Sequence, residues 1–193
     1  MNKEKVELKK SDKRERLEVI ALDAAQQCGL KGLSFRTLAT QLGVKSSSVH
    51  YYFPEKGDLA FALIERYASS FEIALEKLAN ASDTLRQKLE GFIALFASTA
   101  EGGKLCLCGM MAAELDQLDE KSQTLLSQYF ETTEYWLESI LTEHSDEVLS
   151  TLSPKLLAGS LMAGLEGALI LDRVSGDSKR LDAQREVAMS WLL

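Results

Sequence analysis

A chain of 193 residues, 46% hydrophobic and with only two prolines, has enough apolar material for one substantial core or two small ones, which excludes an unstructured tail protein. Its formal net charge of −7 counts against a nucleic-acid partner until it is divided along the chain: residues 1–60 hold 11 Lys and Arg against 8 Asp and Glu, leaving 11 against 21 for the remainder. A mildly basic head on an acidic body fits phosphate contact at one end, and the abundance of Ala, Leu, Glu, Lys, Gln and Ser points to an all-α fold.

Residues 1–11 are rich in Lys and Glu without apolar periodicity and read as a flexible N-terminal arm. From residue 12, Leu17, Ile20, Ala21, Ala24 and Ala25 keep helical spacing as far as Gly29, a natural stop. Ser34 can cap a second helix with Phe35, Leu38, Ala39 and Leu42 on its apolar face, and Gly43 lets the chain turn into a short third helix over 45–53. A turn glycine, a small Ala39 where two helices cross, and Val44 and Val49 beneath them are what a helix-turn-helix requires. Pro54 ends the third helix and introduces a fourth over 55–78, whose Leu59, Leu63, Tyr67, Phe71 and Leu75 recur every four residues.

Further on, a fifth helix is expected over 83–99, with Leu85, Leu89, Phe92, Ile93 and Phe96 inward, before Gly102 and Gly103 break it. A sixth over 105–118, a seventh over 121–144, an eighth over 153–174 and a ninth over 178–192 bring the total to about nine. The eighth carries Ala158, Gly159, Ala163, Gly164, Gly167 and Ala168, small residues that cost helix propensity unless another helix approaches closely. With Leu181, Ala188, Trp191 and Leu192 of the ninth they form a candidate homodimer interface. The weakly polar run 156–171 is shorter than a bilayer span and carries Ser160 and Glu166, so it reads as an interface helix, with no membrane partner.

Three cysteines, an odd number, without a signal peptide point to free thiols in a cytoplasmic protein. Cys106 and Cys108, two apart on a helix, diverge by about 200°, and only two histidines accompany them, so neither a metal nor a cofactor is expected. Two readings of these thiols stay open, small buried apolar residues or a thiol sensor. The chain lacks a nucleophile elbow, an H-E-x-x-H helix, a phosphate-binding loop and a dinucleotide glycine pattern, so no enzyme is expected.

The stretch from Gly43 and Val44 through Val49, Tyr52, Phe53 and Lys56 to Leu59 resembles the signature of the tetracycline-repressor (TetR)/AcrR family of transcriptional regulators. With residues 33–39 the likeness spans roughly residues 12–62. It implies a three-helix helix-turn-helix DNA-binding domain over 12–58 and a helical effector-binding and dimerisation domain over 59–193. The function it implies is a repressor, released from a palindromic double-stranded operator by an apolar or aromatic small molecule, with the fourth helix as lever. A helical adaptor that binds no DNA is the alternative.

By the same resemblance, Arg36 and Thr37 approach phosphate, Lys45, Ser46, Ser47, Ser48 and Tyr51 face the major groove, and Tyr52 and Lys56 hold phosphate. His50 stands where the family more often has Tyr, so an imidazole replaces a phenol contact. Independently of the family, small hydroxyl side chains let a helix lie close to DNA, and Lys45 is the best candidate for a guanine contact. The helices that surround the effector cavity in similar proteins bring Phe92, Phe96, Cys106, Met110, Met111, Glu114, Tyr135, Trp136 and Met162 here, with Glu114 as the ligand anchor.

Overall fold

The structure, a computed structural model, describes residues 3–81 and 84–193, and side chains from residue 12 onward. Nine α-helices and no strand occur among the described residues: α1 (Lys3–Gly32), α2 (Phe35–Leu42), α3 (Ser46–Tyr52), α4 (Lys56–Ala81), α5 (Leu85–Thr99), α6 (Leu107–Ala112), α7 (Glu120–Glu143), α8 (Pro154–Ser175) and α9 (Lys179–Met189). Backbone helix thus runs through residues 3–11, the segment expected as an arm, while Met1 and Asn2 of that segment lie outside the described residues. Asp83, the expected start of the fifth helix, also lies outside them.

Side-chain caps set several helix starts. Ser34 Oγ accepts from Thr37 N at 3.5 Å, Thr84 Oγ1 from Gln87 N at 3.3 Å, Asp119 Oδ1 from Ser122 N at 2.9 Å, and Ser153 Oγ from Leu156 N at 3.3 Å with Pro154 following. Gly43 ends α2 at φ 72°, a left-handed conformation that a side chain would strain, and its N–H returns to the Ala39 and Thr40 carbonyls. Asp172 is nearly buried on α8 and accepts from the backbone N–H groups of Arg180 and Leu181, satisfying the open end of α9.

Two helices are shorter than their apolar patterns suggest, and tertiary hydrogen bonds account for the start of α6 and the end of α9. Ahead of α6, Leu105 N donates to Gln26 O on α1 at 3.0 Å and Gln26 Nε2 donates back to Leu105 O at 3.1 Å, so this backbone is held by α1 and not by helix. Cys106 accordingly lies outside helical φ/ψ (φ −54°, ψ 127°). After α9 the chain peels into an antiparallel bridge between Val148 and Leu192, with Leu149 N on Trp191 O at 2.7 Å.

The buried side chains form one continuous cluster. In the head, Leu17, Ala21, Leu38, Val49 and Phe53 meet Leu59 and Leu63 of α4; in the body, Leu85, Leu89 and Phe92 of α5 meet Leu137 and Leu141 of α7 and Leu161 and Leu165 of α8. Full burial of each Leu or Phe contributes about 1.5–3 kcal/mol, so the α4 stripe that spans both halves is a principal source of their cohesion. By length and composition α8 could cross a membrane, being 22 residues long where 16 were expected to be apolar, yet it packs chiefly on α7 and α9 and turns Glu166 and Asp172 inward.

Candidate nucleic-acid interface and buried polar cluster

The short helix α3 stands on Val49, which is fully buried, and presents its other faces outward. Arg36, Thr37, Lys45, Ser46, Ser47 and His50 are exposed, Tyr51 is 64% exposed, and Ser48, Tyr52 and Lys56 are half-buried. Lys45 occupies the N-cap of α3 and its side chain is exposed. The imidazole of His50 packs edge-on to Phe35 with centroids 4.9 Å apart and its Nδ1 lies 3.4 Å from Pro54 O, while Lys56 Nζ donates to Lys31 O at 3.2 Å. Lys56 therefore braces the end of α1 as well as lying beside the start of α4.

Among the residues expected around an effector, Phe92, Phe96, Cys106, Met111 and Met162 are buried together in the body, and Met110 and Trp136 are half-buried against them. Tyr135 is not part of that group: it is 71% exposed on the outer side of α7. Its neighbour Tyr129, two turns earlier, is the inward tyrosine, 5.5 Å from Phe71 and 5.9 Å from Tyr67 between ring centroids. Glu114 is no ligand anchor either, because its carboxylate leaves the body core and accepts from Lys31 N at 2.9 Å.

The carboxylate at the centre of the body is Glu166. Gly109 faces it, and Glu166 Oε2 fills the space that a Cβ at 109 would need. Its other oxygen, Oε1, is buried without a hydrogen-bond partner, a costly arrangement for an ionised group. Burial, followed by the charge on Cys106, pushes the Glu166 carboxyl up to about 10. At Cys106 burial raises the thiol, but hydrogen bonds from Cys108, the Gly109 backbone, Glu166 and Tyr67 outweigh it and bring the thiol down to about 6. Burial also raises Tyr67 and Tyr129, and Cys106 Sγ lies 3.7 Å from Tyr129 Oη. Around these groups Phe71, Phe92, Phe96, Phe130 and Trp136 supply an aromatic wall.

No family model matches the chain. A curated relative, the HTH-type transcriptional repressor DhaR of Mycobacterium sp. (strain GP1), is 23% identical over 168 residues, which cover 86% of this chain and 84% of that protein. The crystal structure of a TetR transcriptional regulator from Legionella pneumophila superposes with a TM-score of 0.85 and 28% identity, covering 93% of this chain and 96% of the other. The chain has the all-helical fold of TetR-family transcriptional regulators and is similar in sequence to a transcriptional repressor. A TetR-family regulator from Agrobacterium tumefaciens shares the fold at a TM-score of 0.88 and 21% identity, covering 95% of this chain and 98% of that one.

On this TetR-family frame, the small residues of α8 divide between two faces. Ala158 and Ala168 point into the protomer, as do Leu181, Ala188 and Leu192 near its C-terminus, so these are not available to a second chain. Gly164 makes room for the Gln184 side chain of α9, and Trp191 is half-buried. Ala163 is exposed, Gly159 and Gly167 are half-buried, and Leu156, Ile170, Leu171 and Val174 of the same helix are all more than half exposed.

Sequence reasoning overlooked Glu166, Tyr67, Phe71 and Tyr129 as members of the central cluster. The signal for Glu166 was present, since a single carboxylate in a long apolar run must find a partner or carry a proton. Retention of that proton sets a sign: above its unfolded value of 4.5 the folded chain holds a proton that the unfolded chain releases, so stability falls as pH rises. Between pH 4.5 and pH 5.5, where Cys106 is still mostly protonated in both states, the wild type should lose about 1 kcal/mol relative to Glu166→Gln. Urea unfolding of both proteins at the two pH values checks this; parallel behaviour would mean that Glu166 is ionised in the folded state.

Proposed function

We propose that this protein is a cytoplasmic, non-enzymatic homodimer that represses transcription from a palindromic operator and is released by an apolar or aromatic small molecule. The observation that carries the reading is α3, whose exposed Lys45, Ser46, Ser47 and Tyr51 surround a fully buried Val49. A helix braced on one side and polar on the other can enter a major groove without disturbing its own core. Arg36, Thr37, Ser48, His50, Tyr52 and Lys56 flank that helix and would meet backbone or groove edge. The exposed strip Leu156, Ala163, Ile170 and Val174 on α8, with Gly159 and Gly167 beside it, would pack on its counterpart and set the spacing of two recognition helices.

The effector would enter the aromatic wall around Glu166, where a protonated carboxyl offers a hydrogen-bond donor in an otherwise apolar setting. Two connections could carry its effect to the head. One is α4. The other, absent from the sequence reading, joins α1 to the segment around α6 through the Gln26 and Leu105 pair and through Glu114 on Lys31, with Arg173 of α8 donating to Gln27 O at 2.6 Å. Reversing occupancy from 1:99 to 99:1 takes about 5.5 kcal/mol of differential affinity, and the coupling is reciprocal.

Fluorescence anisotropy with DNA fragments from the gene's own upstream region tests the reading. A palindrome should bind with an affinity that falls steeply with salt, about 0.9 log units per released phosphate contact for each log unit of salt. Absence of any salt-dependent, sequence-selective binding would favour the adaptor.

A further inference from the structure

We propose that Cys106 and Cys108 form a thiol and disulfide pair, a modification site at which a small peroxide closes an intrachain bond and shifts the start of α6 against α1. The regulatory consequence rests on the DNA-binding reading above, whereas the covalent chemistry stands apart from it. Divergence of the two side chains would hold only if both residues were helical. Cys106 stands at the N-cap outside helical φ/ψ (φ −54°, ψ 127°) while Cys108 lies in the first turn, and both side chains are buried. Two residues along a chain lie at most about 7 Å apart, and a disulfide asks for about 4.4–6.8 Å between Cα atoms.

The surroundings divide the two roles. Burial raises the Cys106 thiol but its polar neighbours bring it down to about 6, whereas burial raises Cys108 and keeps its proton in place; Tyr129 Oη lies 3.7 Å from the Cys106 sulfur. Both thiols are free and at most 1% exposed, so bulky reagents are shut out and a molecule the size of hydrogen peroxide is the fitting oxidant. The Cys106 sulfur attacks one peroxide oxygen, the O–O bond breaks, and the displaced hydroxide takes the Cys106 proton and leaves as water. The resulting sulfenic acid is then attacked by the Cys108 sulfur; the S–O bond breaks, the S–S bond forms, and hydroxide departs with the Cys108 proton as a second water. Two thiols lose two electrons and one peroxide becomes two waters.

Leu105, immediately before the pair, exchanges two hydrogen bonds with Gln26 of α1, and Lys104 pairs with Asp23. Re-aiming Cys106 toward Cys108 therefore pulls on the head directly.

The test uses the full chain carrying Cys28→Ser, which removes the exposed third thiol. Treatment with hydrogen peroxide should lower the intact mass by two hydrogens, dithiothreitol should restore it, and operator affinity should fall about tenfold and recover in step. In the same background Cys108→Ala should instead gain oxygen. Oxygen addition without loss of two hydrogens in the intact pair would overturn the disulfide. A disulfide that forms with operator affinity unchanged would overturn the switch. If the reduced protein binds no DNA, the repressor reading fails, and the mass measurement still decides the pair.

Discussion

Replacing Lys45 by Ala should weaken operator binding about 30-fold or more, because a good contact to a guanine edge is worth about 1–3 kcal/mol and a two-fold symmetric complex loses it twice. Folding should be untouched, since Lys45 is exposed and its side chain caps nothing. The measurement is an anisotropy titration of wild type and variant against one operator and its point variants over a range of salt. If Lys45 reads a base, discrimination at that position relaxes while the salt slope holds. If it neutralises phosphate, affinity falls evenly across sequences and the slope drops by about 2 for the dimer. A variant that binds as tightly as the wild type would remove α3 from the interface.

The head is legible in the sequence because its determinants are local. Ser34, Gly43 and Pro54 mark ends that neighbouring backbone atoms impose, and the spacing of Leu38, Ala39 and Val49 follows from helices only two turns long. The body yields less, because its decisive interactions join residues far apart. Nothing near Cys106 announces that Gln26, some 80 positions earlier, will hold Leu105 out of a helix, and that one displacement leaves Cys106 outside the helix in which Cys108 lies. Tyr135 and Tyr129 differ only in phase on α7, and a helix with Leu125, Tyr129, Trp136 and Ile140 on adjoining stripes leaves that phase ambiguous. Glu114 had the right chemistry for an anchor and the wrong direction, since the close of α6 turns it toward Lys31. On α8 the small residues come in pairs, 158 and 159, 163 and 164, 167 and 168, so one of each pair turns toward the core as the other turns away.

That division makes the outward face of α8 the place where a single substitution should have the largest consequence. Ile170 is 51% exposed, so Ile170→Glu adds a carboxylate to solvent in an isolated protomer and should leave its thermal unfolding nearly unchanged. In a symmetric pair the same change places two carboxylates in an apolar seam. Each costs several kcal/mol to desolvate without a partner. Sedimentation at micromolar concentration should then show a monomer where the wild type shows a dimer, and operator affinity should fall at least about 100-fold, since a single head retains only half of the contacts. Ala188→Glu supplies the contrast: that position is fully buried inside the protomer, so its carboxylate should destabilise the fold itself. Were Ile170→Glu to remain dimeric and bind the operator normally, the two-fold axis would have to lie on another surface, and the small residues of α8 would serve only the packing of α7 and α9 within one chain.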